Sequence, residues 1–213
     1  MNLWDDSLMD RFIDLCAELV TVNEEDRIKI INAVRIELHE ASPFRNEPVD
    51  CVLWVPADSV QANDYNPNSV APPEMALLET SIWEDGYTMP VVCYYIPEED
   101  IYEIVDGYHR YTTLKTSKRI FEREGGMLPV VVIEKDQSNR MASTIRHNRA
   151  RGSHSIELMS NIVAELTKSG MSDAWIIKHI GMDKDELLRL KQITGIAALF
   201  AEREFSEAFS GSI

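Results

Sequence analysis

The sequence predicts an α+β protein, a small α/β core flanked by an N-terminal helical hairpin and a C-terminal helix-turn-helix-like subdomain. Three observations predict it. Apolar residues recur at helical spacing at both ends of the chain and in short strand-like runs in the middle. The 213 residues, 45% hydrophobic and 27% charged, have the composition of one large folded domain or of one domain with an appendage. No internal repeat or low-complexity run interrupts the pattern. Changes of period place the boundaries at 1–45 for the helical extension, 50–152 for the core and 153–213 for the helical subdomain.

Residues 5–21 set Leu8, Phe12, Leu15 and Leu19 near helical spacing, and residues 24–40 do the same with Ile28, Ile31, Val34 and Leu38. Two amphipathic helices follow, turning at Val22-Asn23, with acidic first turns that suit the helix dipole. Either they pack as a hairpin on the core, or they form a dimerisation or partner-binding element. Residues 42–50 read as a linker with two prolines.

The core begins with a strand at 51–55 and an irregular Asn/Asp/Pro-rich loop at 57–73. A helix at 74–86 is closed by Gly86. Buried strands are expected at 89–96, 101–107 and 128–135, and helices at 109–124 and 138–149. In the last part a helix at 154–170 is capped by Gly170. A short helix at 172–181 starts at Ser172, and another at 182–196 starts at Asp183. A short helix, a Gly-containing turn and a second helix form a helix-turn-helix pattern.

Net charge is −15, which opposes nonspecific DNA binding. Residues 1–60 and 61–139 each carry −8, whereas residues 140–196 carry +3, so a polyanion contact is expected in that last stretch. Cys16, Cys51 and Cys93 are odd in number and lack metal-ligand spacing, which argues against a disulfide scaffold or a zinc site and for a reducing cytoplasm. Nothing resembles a secretory signal or a membrane span.

The most informative segment is 102–115, where an apolar strand ends in Asp106-Gly107 and a helix starts at once with His109 and Arg110. Amide groups at a helix N-terminus favour phosphate, Gly107 permits close backbone approach, and Arg110 can grip a phosphate bidentately. The alternative is a tight turn whose Arg pairs with a nearby acid. Residues 144–155 hold Arg146, Arg149 and Arg151 interleaved with His147, Asn148 and His154. That density of basic groups suits an anionic partner, with Asn148 able to offer an oxygen to hydrated Mg²⁺. The alternative is a solvated helix end paired with the acidic N-terminal helices. In the last predicted helix, Arg189, Lys191 and Gln192 are the candidates for DNA contact. Asp183, Asp185 and Glu186 would repel phosphate there, and Leu187, Leu188, Leu190 and Ile193 are spaced for a core. DNA reading and a purely structural subdomain both stand.

In order and spacing these segments resemble the ParB/sulfiredoxin superfamily. The Gly-Glu-[His/Arg]-Arg box of ParB-type chains is matched by GYHR at 107–110, the Gly-x-x-x-Pro segment by GYTMPVV at 86–92, the Asn-Pro loop by NDYNPNSV at 63–70 and the Glu-Asn-x-x-Arg box by HNRAR at 147–151. The resemblance spans roughly residues 50–196. Within it, DGYHRY and IRHNRARGSH are most similar to IbrB-like co-activators of prophage gene expression. Those are partnered with proteins resembling phosphoadenosine-phosphosulfate reductases.

The resemblance implies a bound nucleotide, ATP, ADP or CTP with Mg²⁺. Gly107, His109 and Arg110 would lie on its phosphates, Asn148 on phosphate or Mg²⁺, Arg149 and Arg151 as further anion contacts, and Met89-Pro90 along the base or sugar. Tyr108 stands where sulfiredoxins carry their cysteine, so sulfiredoxin activity is not expected. Tyr108 and His147 stand where ParB CTPases carry glutamates. An NTPase or kinase-like phosphotransferase would therefore need Asp106 or His147 as its base, and Asp106 can equally be a helix cap. The resemblance thus implies a nucleotide-binding regulator, with an enzyme using the same turn and a nucleotide-free DNA-binding adaptor as alternatives. DNA, the reductase-like protein and a second copy of the chain are the macromolecular partners to consider.

Overall fold

The computed structural model describes residues 6–63, 72–134, 142–143 and 156–201. Helix α1 (Asp6–Leu19) and helix α2 (Glu24–Ala41) form where the periodicity places them, and Asn23 caps α2 by accepting from the Asp26 amide at 3.0 Å. Helix α2 docks on the sheet. Asn32 reaches strand β1 (Leu53–Pro56) and takes both backbone groups of Trp54, donating to its carbonyl at 2.6 Å and accepting from its amide at 3.1 Å. His39 sits 2.7 Å from Asp50 beyond the helix end. Residues 7–18 of α1 are exposed, and Leu19 is half-buried.

The sheet has five strands in the order β1-β5-β3-β4-β2, where β2 is Val60–Gln61, β3 Val91–Ile96, β4 Ile101–Asp106 and β5 Met127–Val132. β1 runs antiparallel to β5 (Leu53 opposite Val130), and β3 antiparallel to β4 (Cys93 opposite Ile104). β3 runs parallel to β5 (Val91 opposite Val130), and β2 parallel to β4 (Val60 opposite Tyr102). The loop expected over 57–73 thus contains a 3₁₀ turn at Ala57–Ser59 and the two-residue strand β2, too short to leave an alternating pattern.

Helices α3 (Pro72–Asp85), α4 (Tyr108–Thr116) and α5 (Lys118–Arg123) supply Ile82, Leu114 and Ile120 to a core shared with Val55, Val91, Cys93, Ile104, Leu128 and Val130. The single helix expected over 109–124 is broken at Ser117, which is extended and donates from its hydroxyl to Glu79 on α3 at 2.7 Å. Thr112, Thr113 and Thr116 also donate to carbonyls four residues back, which weakens a helix. Past α3, the Arg123 guanidinium donates to the carbonyls of Ile82 and Trp83 at 2.8 and 2.6 Å, satisfying the helix end. The guanidinium groups of Arg119 and Arg123 lie 5.0 and 5.1 Å from the Trp83 ring centroid.

The C-terminal helices α6 (Ile156–Lys168), α7 (Asp173–Ile180) and α8 (Lys184–Ala201) enclose a second apolar cluster, Met159, Ile162, Val163, Leu166, Ile176, Ile180, Met182, Leu187 and Leu190, which Ala142 joins from upstream. The expected caps form. Ser172 accepts from the Trp175 amide at 3.2 Å, Asp183 from the Glu186 amide at 2.7 Å, and Gly170 takes a positive φ. One expectation is corrected. Leu187 and Leu190 are buried, but Leu188 and Ile193 are exposed, because a helix packed along one stripe leaves residues a third of a turn away in solvent. Among the described residues, no helix is long and apolar enough to cross a membrane.

Candidate functional site

The central feature is the junction of β4 and α4. β4 ends at Asp106, and Gly107 reverses the chain with φ 96° and ψ 20°, so that α4 begins at Tyr108. Only glycine adopts this conformation without strain. A second constraint falls on the same residue. A Cβ at position 107 would stand 2.6 Å from Nη2 and 3.1 Å from Nε of Arg110. The missing side chain is the space the Arg110 guanidinium occupies.

Arg110 is thereby folded back onto the turn. Its Nη2 lies 3.9 Å from the Asp106 carboxylate, and both side chains are largely buried, 14% and 5% exposed. At that distance the attraction is Coulombic rather than a close hydrogen bond. Nη1 approaches the Met89 sulfur at 3.9 Å, which brings the 89–90 segment alongside the turn. Pro90 is half-buried just before β3. The Tyr87 hydroxyl donates to the Arg110 carbonyl at 3.0 Å, and its ring meets Trp54 edge-on. Burial pushes the Tyr87 phenol well above its ordinary range, so it acts as a neutral donor.

His109 is half-buried beside Tyr108. Burial lowers its pKa, Asp106 raises it, and Arg110 lowers it further, with a net fall below the ordinary 6.5. The amides of Arg110 and Tyr111 both bond to the Gly107 carbonyl, at 2.9 and 3.2 Å. The first amides of α4, those of Tyr108 and His109, lie too early in the helix for an intrahelical acceptor. The helix cap is Gly107, so the cap role considered for Asp106 falls to its neighbour. Tyr108, at the position where relatives in the resemblance carry cysteine or glutamate, packs against the core.

Gly107, His109, Arg110, Asp106 and Pro90 therefore come together at one corner of the sheet. His147, Asn148, Arg149 and Arg151 lie outside the described residues. Among the described residues, no three His, Cys, Asp or Glu side chains are grouped to hold a metal. Cys93 is fully buried in the core, with its thiol pushed far above its ordinary range, and it takes no place at the turn.

Sequence reasoning placed Asn63 only as the first residue of the NDYNPNSV loop and gave it no role. It lies at the carboxyl end of β2, 8% exposed, and its amide donates to the Ile104 carbonyl at 2.6 Å, two residues before Asp106. It thus ties the chain just past β2 to β4. Nothing in that loop sets Asn63 apart from the asparagines that follow it, because its partner, Ile104, lies 41 residues away.

On the helical subdomain, Arg189 and Gln192 are exposed on α8. Lys191 is ion-paired with Asp173 on α7, and only 29% of its side chain is exposed, so its charge braces two helices. Trp175 stacks on His179 with centroids 4.2 Å apart.

A family model described as the IbrB-like C-terminal HTH domain matches residues 154–202. The chain is similar to the uncharacterized protein YbdM of Escherichia coli (strain K12), 51% identical over 197 residues, or 92% of this chain and 94% of that protein. It is also similar to two structures of the C-terminally truncated chromosome-partitioning protein ParB from Caulobacter crescentus. The complex with CTP-γ-S has a TM-score of 0.39 and 19% identity, covering 70% of this chain and 86% of that one. The complex with the centromeric parS site has a TM-score of 0.45 and 17% identity, covering 72% and 79%.

Proposed function

From the premise that the chain belongs to the family of Escherichia coli YbdM and carries an IbrB-like helix-turn-helix domain, we propose that its α+β core is ParB-like and that the protein is a nucleotide-binding regulator that acts at DNA. The helix-turn-helix supports the coarser part of this reading, a DNA-associated regulator. The nucleotide is the finer part, and one observation carries it. Gly107 both turns the chain and leaves the space for Arg110, so a guanidinium is set beside the first amides of α4. A phosphate at that place would meet helix-dipole, amide and guanidinium donors at once.

The residues present suit a polyphosphate. A Cβ at position 107 would push the Arg110 guanidinium off the turn, Asp106 holds that guanidinium electrostatically, and Tyr87 holds the Arg110 backbone. His109 stands beside the same amides. Met89-Pro90 would run along the base or sugar, and Asn148, Arg149 and Arg151 would close on the phosphates, with Asn148 toward a hydrated Mg²⁺. Nucleotide would draw the arginine-rich 144–155 segment against the turn and so alter how the helical subdomain meets DNA. Arg189 and Gln192 would reach the DNA directly.

The test is calorimetric titration of the chain with ATP, ADP, CTP and GTP, with and without Mg²⁺, alongside a phosphate-release assay. The expected result is saturable binding that Arg110→Ala and Arg151→Ala each weaken by tenfold or more. Binding without phosphate release fits the regulator. Release abolished by Asp106→Asn with binding kept would replace it with an NTPase or phosphotransferase. No binding at millimolar nucleotide would end the nucleotide reading and leave a DNA-binding adaptor.

A further inference from the structure

Helix α1 carries an apolar face that, from Leu8 to Leu15, nothing among the described residues covers. Leu8 is 61% exposed, Phe12 42%, Ile13 57% and Leu15 58%. Exposed apolar residues scattered singly need no account, but these form one contiguous arc on a helix about 21 Å long. Helical spacing puts Leu8, Phe12, Leu15 and Leu19 along a stripe, with Met9, Ile13 and Cys16 beside it. Asp10 and Asp14 fall on the opposite side. The α2 helix next to it is fixed to the sheet through Asn32 and through His39 near Asp50, so α1 projects from an anchored base.

We propose that this face is covered by a second copy of the chain, the two α1 helices pairing antiparallel. Charge complementarity selects that occupant. Arg11 and Glu18 flank the same edge of the apolar stripe, about 20° apart around the helix at 3.6 residues per turn. An antiparallel pair related by a two-fold axis sets each edge against itself. With Leu8 facing Leu19 and Phe12 facing Leu15, Arg11 of one copy lies within a turn of Glu18 of the other, and the pair forms twice. The helix dipoles oppose as well, and the Asp10 and Asp14 side stays in water. Parallel pairing matches neither the charges nor the dipoles. Closing the two faces removes on the order of 1,000 Å² of surface, the lower end of specific interfaces.

Sedimentation equilibrium of the full chain at 1–100 µM tests this. The expected result is a mass of twice 24.3 kDa. Leu8→Asp with Leu15→Asp should give a folded monomer with a cooperative thermal transition whose midpoint, unlike that of the wild type, does not change with protein concentration, since both side chains face solvent in the single chain. Arg11→Glu and Glu18→Arg should each weaken the dimer about tenfold, and the two together should restore it. A monomer across the whole range overturns the proposal and leaves the face to a different protein. A dimer that survives Leu8→Asp with Leu15→Asp, or charge reversals whose effects add without rescue, overturns it equally.

Discussion

Replacing Gly107 with alanine separates two demands that the β4–α4 junction makes on one residue. The first is conformational. A side chain at φ 96° lies beyond the left-handed well, at a cost of about 2–3 kcal/mol. The second is spatial, because the new Cβ would stand 2.6 Å from Arg110 Nη2. A guanidinium is the far end of a flexible chain, so it moves, and in moving it loses the Met89 contact and its place beside Asp106. Gly86→Ala is the control. Gly86 also has a positive φ, 74°, but a Cβ there meets nothing within 4 Å, so strain of about 1–2 kcal/mol is the whole effect.

Urea unfolding reads both, and a slope of about 1–3 kcal/mol per molar turns a loss of 2–3 kcal/mol into a midpoint shift near 1 M. The expected order is Gly107→Ala well below Gly86→Ala, with the gap shrinking when Arg110 is also alanine, since the side chain being displaced is then gone. Equal losses at the two glycines, or a gap indifferent to Arg110→Ala, would refute the view that the absent Cβ houses the guanidinium.

Three further outcomes follow from the geometry. His109 has a folded pKa lowered by burial, so its contribution to stability is fully present above about pH 6.5 and is lost as pH falls through the lowered value. Wild-type protein should accordingly lose more stability than His109→Gln between pH 7.5 and 5, measured by urea titration at both. Leu114 and Ile176 are fully buried in different clusters. Alanine at either costs about 2–5 kcal/mol, and calorimetric scans should show each substitution lowering a different unfolding transition. Arg189→Ala should weaken DNA retention at all sequences and reduce the slope of log affinity against log salt by about 1. Lys191→Met should leave that slope alone, because Lys191 is engaged by Asp173.

What the sequence made legible was whatever local chemistry determines. Ser172, Asp183 and Gly170 punctuate the last three helices as their side chains dictate, and Asp106-Gly107 marks a strand-to-helix reversal that needs a left-handed residue. What stayed hidden depends on partners far along the chain. The break at Ser117 is held by Glu79, 38 residues earlier, and β2 exists only because Val60 and Gln61 find Tyr102 and Glu103. The return of Arg110 onto Gly107 is a matter of rotamer, invisible in the string GYHR. Leu188 and Ile193 read as core residues by type and spacing, yet the cluster had room for only one stripe of α8.

The Asn32–Trp54 pair bears on a hazard common to all open sheets. β1 is the outermost strand on its side, and an outermost strand offers its free amide and carbonyl groups to any other chain that can lie alongside. A single carboxamide takes both groups of Trp54 and so imitates one residue of a neighbouring strand. Asn32→Leu would keep the helix and its apolar contacts while unsealing that border. The harm would then be read in the turbidity of a stored solution and in dye-binding fibrils, at concentrations where the isolated molecule still melts normally.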